Sequence, residues 1–111
     1  MVFGLLHKLP KDKKINLAIS VAGFYKDEGW GCEGLFSEPY EWRKVREQAR
    51  KVYVFWSSDD SYISKGQTDY LAKHTGVKPT IFENKKHFNL EAGLHFKKLP
   101  ELLEVIKNDC N

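Results

Sequence analysis

Val52-Tyr53-Val54-Phe55-Trp56-Ser57-Ser58-Asp59-Asp60-Ser61-Tyr62-Ile63 decides how the rest of the chain is read. Its first five residues are all β-branched or aromatic, with no polar alternation, the pattern of a strand covered on both faces. The run then breaks into Ser57, Ser58, Asp59 and Asp60, so a buried strand ends by delivering two adjacent carboxylates to the surface. In open parallel sheets, chemistry collects just beyond the carboxyl ends of the strands. A second strand-like run, Pro79 to Glu83, is followed within a few residues by His87. Were the two strands parallel neighbours, they would lie roughly 5 Å apart and open their loops on one edge, an acid beside a histidine.

Working outward, the chain alternates. Val2, Phe3, Leu5, Leu6 and Leu9 suit the buried face of a helix over residues 1–9, closed by Pro10 and a lysine-rich turn. Ile15 to Val21 is an apolar run of strand length, followed by a loop rich in glycine and charge. Glu38 to Lys51 reads as a helix with Trp42, Val45 and Ala49 inward. After the central strand, Ser64 and Gln67 form an S-x-x-Q capping box that opens a helix holding Tyr70 and Leu71 inward and stopping at Gly76. The last helix has Pro100 near its start, Glu101 and Glu104 in its first turns, Lys107 near its end, and an inner stripe of Leu99, Leu102, Leu103 and Ile106. About three strands and four helices in alternation imply right-handed βαβ crossovers and an α/β fold, a parallel three-layer sandwich in a single domain of residues 1–111.

Composition narrows the function. Eighteen Lys+Arg against fifteen Asp+Glu give +3, and the basic residues are scattered, so no nucleic-acid footprint stands out and none is expected. The apolar start is too short for a membrane span and lacks a basic region and a cleavage site, so neither membrane nor secretion is expected and the cytoplasm is the default. Cys32 and Cys110, the two cysteines, read as free thiols of a reducing compartment. His7, His74, His87 and His95 show no metal spacing, and no glycine motif for phosphate occurs; no cofactor is expected. Tyr25, Phe24, Trp30 and Phe36 read as aromatics packing a loop over the sheet rather than lining a ligand pocket.

Taken singly, Asp59-Asp60 is a polar turn and His87 a loop histidine. Together, at the ends of successive strands, they have the acid-then-histidine order of an α/β-hydrolase triad. The junction Leu35-Phe36-Ser37-Glu38-Pro39-Tyr40-Glu41-Trp42, running into Val52 to Asp60, resembles the C-terminal half of the small serine hydrolases similar to retinoblastoma-binding protein 9 and the bacterial YdeN proteins. The resemblance covers about Ile15 to the C-terminus and implies a partial α/β-hydrolase fold. It also implies that Asp60 is the triad acid, that His87 (followed by Phe88) is the base, and that the substrate is a small ester or amide. The chain departs from the family at Trp56 and Lys86, where glycine is usual, and at Ser61, where proline is usual. Lys86 matters most, since a cation beside an imidazole lowers its pKa.

The family's G-x-S-x-G elbow is not in this sequence. Ser20, in Ala18-Ile19-Ser20-Val21-Ala22-Gly23, lies inside an apolar run with no helix after it, and is not expected to be a nucleophile. The helix of residues 1–9 starts without a cap, as the remainder of the elbow helix would, so the chain is expected to begin just after the missing serine. On this reading it is inactive alone. The alternative is a non-catalytic paralogue acting as a binding or interaction module, self-associating through the open edge of Ile15 to Val21.

Overall fold

The central strand is where the sequence puts it, between two neighbours. The computed structural model describes residues 2–26, 41–88 and 100–110. Its element order is α1 (Val2–Lys8), β1 (Ile15–Val21), α2 (Trp42–Gln48), β2 (Ala49–Ser57), α3 (Lys65–Thr75), β3 (Thr80–Phe82) and α4 (Pro100–Cys110). The strands form one parallel sheet in the order β1-β2-β3. Among the described residues no helix is long and apolar enough to cross a membrane.

Pairing register fixes which residue faces which layer. Ala18 is opposite Val52 and Ser20 opposite Val54, so these four share a face. Phe3 and Leu6 of α1, Val45 of α2 and Leu71 of α3 close over that face with Ala18, Ala49 and Val54. Phe3 and Leu6 are 2% and 0% exposed, and each such side chain contributes roughly 1.5–3 kcal/mol through burial. By contrast, the exposed Arg43–Glu47 and Lys65–Asp69 pairs at i, i+4 are worth about 0.3–0.5 kcal/mol apiece. Burial decides this layer. On the opposite face Phe55 packs edge-on against Phe82 at 5.1 Å, and α4 lies against β1.

Three details differ from the sequence reading. The helix expected from Glu38 to Lys51 is described from Trp42 and ends at Gln48, and β2 begins at Ala49 rather than Val52. Ile15 pairs with Ala49 and Leu17 with Lys51, so ladder hydrogen bonds to β1 take residues that could have extended the helix. Gln48, buried at the junction, donates to the carbonyls of both Leu9 and Pro10 (2.9 and 2.8 Å) and ties the end of α1 to the end of α2.

The inner stripe assigned to α4 is only partly inner: Leu103 and Ile106 are 53% and 40% exposed. This helix meets β1, at the rim of the sheet, and Ile106 borders an apolar hollow with Ile15, Leu17 and Ile19, all half-buried. The capping box of α3 is half formed. The Ser64 hydroxyl accepts from the Gln67 amide at 3.3 Å, but the Gln67 side chain turns away to accept from Tyr25 N–H (2.8 Å) and to donate to the Lys26 carbonyl (2.9 Å). A buried glutamine gains more by satisfying a loop's backbone than by returning to a helix end that water can reach. Cys32, His95, Leu99, Trp30, Phe36 and the Pro39-Tyr40 part of the junction motif lie outside the described residues.

The other end of α3 matches the sequence. Gly76 sits at φ 75°, ψ 25°, and its N–H reaches the carbonyls of Ala72 and Lys73. A Cβ there would meet nothing closer than Arg46 Cδ at 3.9 Å, so the cost of a side chain is conformational alone. Gly76→Ala should therefore destabilise the protein by about 1–2 kcal/mol, read from the denaturant midpoint at unchanged m-value. A larger loss would show that packing, not backbone conformation, requires the glycine.

Candidate active site

The carboxyl ends of β2 and β3 meet at one edge of the sheet, where Ser57 pairs with Phe82 and Ser58 N–H donates to the Phe82 carbonyl at 2.9 Å. The loop after β2 folds back at once. Asp60 Oδ1 accepts from the amides of Tyr62 (2.8 Å) and Ile63 (3.0 Å), the local turn to which a short carboxylate is suited. Trp56 secures the far side of this turn, its indole N–H donating to the Ile63 carbonyl at 2.9 Å. Trp56 packs with Ala22 and Ile63, and with Phe24 and Phe88, in a second apolar cluster beneath the edge. A glycine at position 56 would leave that cluster unfilled, which accounts for one departure from the resembled pattern.

With Oδ1 committed to the backbone, Asp60 turns Oδ2 outward, and His87 Nδ1 lies 3.0 Å from it. The carboxylate side chain is fully buried while the imidazole is 32% exposed. Since an ionised carboxylate only accepts, this contact suits the Nδ1–H tautomer, which in a neutral imidazole leaves the lone pair on Nε2. Tyr62, itself 46% exposed, stands beside the imidazole with ring centroids 5.0 Å apart. The chemistry open to such an arrangement is general-base catalysis by a histidine whose tautomer and orientation a buried acid sets.

Asp59, the neighbouring carboxylate, does something else. Its Oδ1 accepts from the Ser57 hydroxyl at 2.6 Å and from Lys86 N–H at 2.9 Å, and Ser57 Oγ accepts in turn from Lys85 N–H at 3.1 Å. The Ser57 hydroxyl holds the Asp59 carboxyl below the usual carboxylate range, helped by the Lys86 amide and, least, by the Lys86 ammonium 4.0 Å away. The Lys86 cation expected beside the imidazole thus has its ammonium at Asp59. Lys86 itself stands at φ 48°, a left-handed conformation that favours glycine, so the backbone suits the usual residue and nothing in the structure explains the lysine. Lys85 pairs with Glu101 at 3.3 Å, joining the loop to the first turn of α4.

Ser20 is the last residue but one of β1. It is buried in β1 opposite Val54, and its hydroxyl lies where a side chain on Gly23 would stand. Tyr25 stacks on Tyr70 with centroids 3.6 Å apart and Phe24 joins the Trp56 cluster, so both pack the core's margin. Among the described residues no group of His, Cys, Asp and Glu side chains could hold a metal ion. Ser57 was missed by sequence reading, although a small hydroxyl ending an apolar strand two residues before an aspartate was a signal for it.

Comparison with known proteins bears on this geometry. No family model matches the chain. In sequence it is similar to the serine hydrolase RBBP9 of Rattus norvegicus, 27% identical over 82 residues, which cover 74% of this chain and 41% of that protein. In structure it is similar to the ydeN gene product of B. subtilis, with a TM-score of 0.85 at 20% identity over 96% of this chain and 57% of that one. The chain spans about two fifths of the length of the curated relative it matches. Its architecture is a partial α/β-hydrolase fold, and its resemblance to the small serine hydrolases holds over part of their length.

Two outcomes follow from the carboxylates. Asp60→Ala removes the oxygen that the Tyr62 and Ile63 amides share and should cost about 1–3 kcal/mol in a denaturant melt, whereas Asp60→Asn keeps the accepting oxygen and should cost less. For Asp59 the folded pKa lies below the ordinary value of 3.8, so its stabilisation is fully present above that value. It should disappear as pH falls through the lowered folded value. The pH dependence of the unfolding free energy below 3.8 should accordingly flatten in Asp59→Asn and persist in a control variant such as Asp69→Asn.

Proposed function

We propose that Asp60 and His87 are the acid and base of a serine-hydrolase site, and that this chain carries them without the attacking serine. The observation that carries the reading is the 3.0 Å contact of His87 Nδ1 with a fully buried Asp60 carboxylate, at the carboxyl edge of a parallel sheet. In this role Asp60 holds the imidazole and stabilises the imidazolium, while Nε2 takes the serine proton and returns it to the leaving group. The substrate is a small ester or amide. No step requires a cofactor. Since the sequence contains no G-x-S-x-G, the 111-residue chain forms no acyl-enzyme by itself.

The test has two arms. Purified residues 1–111 should not be labelled by a fluorophosphonate probe, and stoichiometric labelling at Ser20 would overturn the assignment. In the second arm, an elbow-bearing segment of the serine hydrolase relative is joined ahead of residue 1 and ester hydrolysis is followed. Activity should fall about 10²–10⁴-fold with His87→Ala, the range for loss of a general base. Hydrolysis indifferent to His87 would remove the reading.

A second reading, a non-catalytic module that associates with itself, is favoured by one observation. Ile15, Leu17, Ile19 and Ile106 border an apolar hollow of about 450 Å³ at the β1 rim. Native mass measurement separates the two: a dimer dispersed by Leu17→Lys and Ile19→Lys supports the module, and a monomer at micromolar concentration opposes it.

A further inference from the structure

We propose that Asp59 is a positioning residue for the base: with Ser57 it fixes the backbone of Lys85 and Lys86 and so holds the His87 ring at Asp60. The proposal rests on the reading of Asp60 and His87 as acid and base. It begins from what holds the ring among the described residues. The His87 side chain is 32% exposed and the ring beside it, Tyr62, is 46% exposed, so among the described residues side-chain packing leaves part of the ring open to solvent. The backbone from which it hangs must supply the rest.

That backbone is not one the local sequence prefers. Asn84, Lys86 and Phe88 take φ of 59°, 48° and 55°, alternate left-handed positions without a glycine among them. Asparagine tolerates this region, but a lysine and a phenylalanine do so only when surrounding contacts dictate it. Among the described residues three contacts bear on it. Lys85 N–H donates to Ser57 Oγ, Lys86 N–H donates to Asp59 Oδ1, and Phe88 N–H returns to the Lys85 carbonyl at 2.8 Å. Ser57 is 0% exposed and is the last residue of β2, so both acceptors are anchored to the sheet.

Asp59 as a mere turn residue would spend its oxygens on its own loop. It does bond locally, to the Ser57 hydroxyl that fixes the direction of Oδ1, but the same oxygen also reaches across 27 positions to the amide immediately before His87. The two adjacent carboxylates therefore divide the work, Asp60 binding the ring and Asp59 the chain that bears it. Because the Lys86 contact is a hydrogen bond to an anion, it is stronger than a neutral one. Its loss frees a conformation with little local reason to persist.

The test is ¹⁵N NMR of the imidazole at neutral pH in residues 1–111, with amide exchange read in parallel. The wild type should show the Nδ1–H tautomer of His87, and Asp60→Asn should displace it. Asp59→Ala should abolish that tautomer's dominance and speed exchange at Lys86 N–H roughly 10–100-fold, the scale of one lost hydrogen bond to a charged group. Asp59→Asn, which keeps an accepting oxygen, should restore both. A general loss of stability would not give rescue confined to the acceptor. Should Asp59→Ala fail to fold, Ser57→Ala removes the acceptor of Lys85 and the donor to Asp59, and should shift the tautomer in the same direction. An unchanged Nδ1–H tautomer in whichever of these variants folds, or no rescue by Asp59→Asn, overturns the positioning role while leaving Asp60 and His87 in place. A wild-type Nε2–H tautomer, or a spectrum indifferent to Asp60→Asn, instead removes the acid–base reading itself.

Discussion

A parallel strand whose residues are apolar on both faces needs a neighbour at each edge and cover on each face, and β2 imposes that requirement here. Val54, Phe55 and Trp56 are 1%, 1% and 7% exposed, yet they point alternately to opposite layers. Satisfying them demands β1 and β3 alongside, α1, α2 and α3 on one face, and aromatic packing through Phe82 on the other. Because the pairing is parallel, every strand must finish at the same rim. The meeting of Asp60 with His87 is a consequence of that geometry before it is a matter of chemistry.

The rim then depends on polar groups whose partners lie far away in sequence. Buried backbone and side-chain polar atoms must be satisfied, and here a few side chains do this for whole loops. Gln67 serves the loop after β1, Gln48 the end of α1, Ser57 and Asp59 the loop after β3. Only after those obligations are met does Asp60 Oδ2 remain for an imidazole. The exposed ion pairs of α2 and α3 contribute far less, being solvated and screened.

What the sequence disclosed follows the same division. The strand Val52 to Trp56, the Ser64 cap, the left-handed Gly76 and the sequence Asp60…His87 could all be read, because each is announced by hydrophobic run, turn chemistry or spacing. The end of α2 could not be. Ala49, Arg50 and Lys51 suit a helix as well as a strand, and their pairing with β1 decided the matter. The stripe of α4 was over-read, since periodicity states which face is apolar but not whether anything covers it. Ser57 and Gln48 escaped, and the side chain of Gln67 was assigned to the helix cap, because their value lies in long-range hydrogen bonds, which leave no period in the sequence.

Asp60 and His87 are 27 residues apart, on the loops that follow β2 and β3, the two strands that α3 connects. Closing such a loop costs entropy that grows only as the logarithm of its length, and the 11 residues of α3 stiffen part of it in advance. The pair is thus a local product of one supersecondary unit. In the proposed role, the imidazole and its carboxylate would meet an attacking oxygen already assembled, at a cost met by the folding of that crossover.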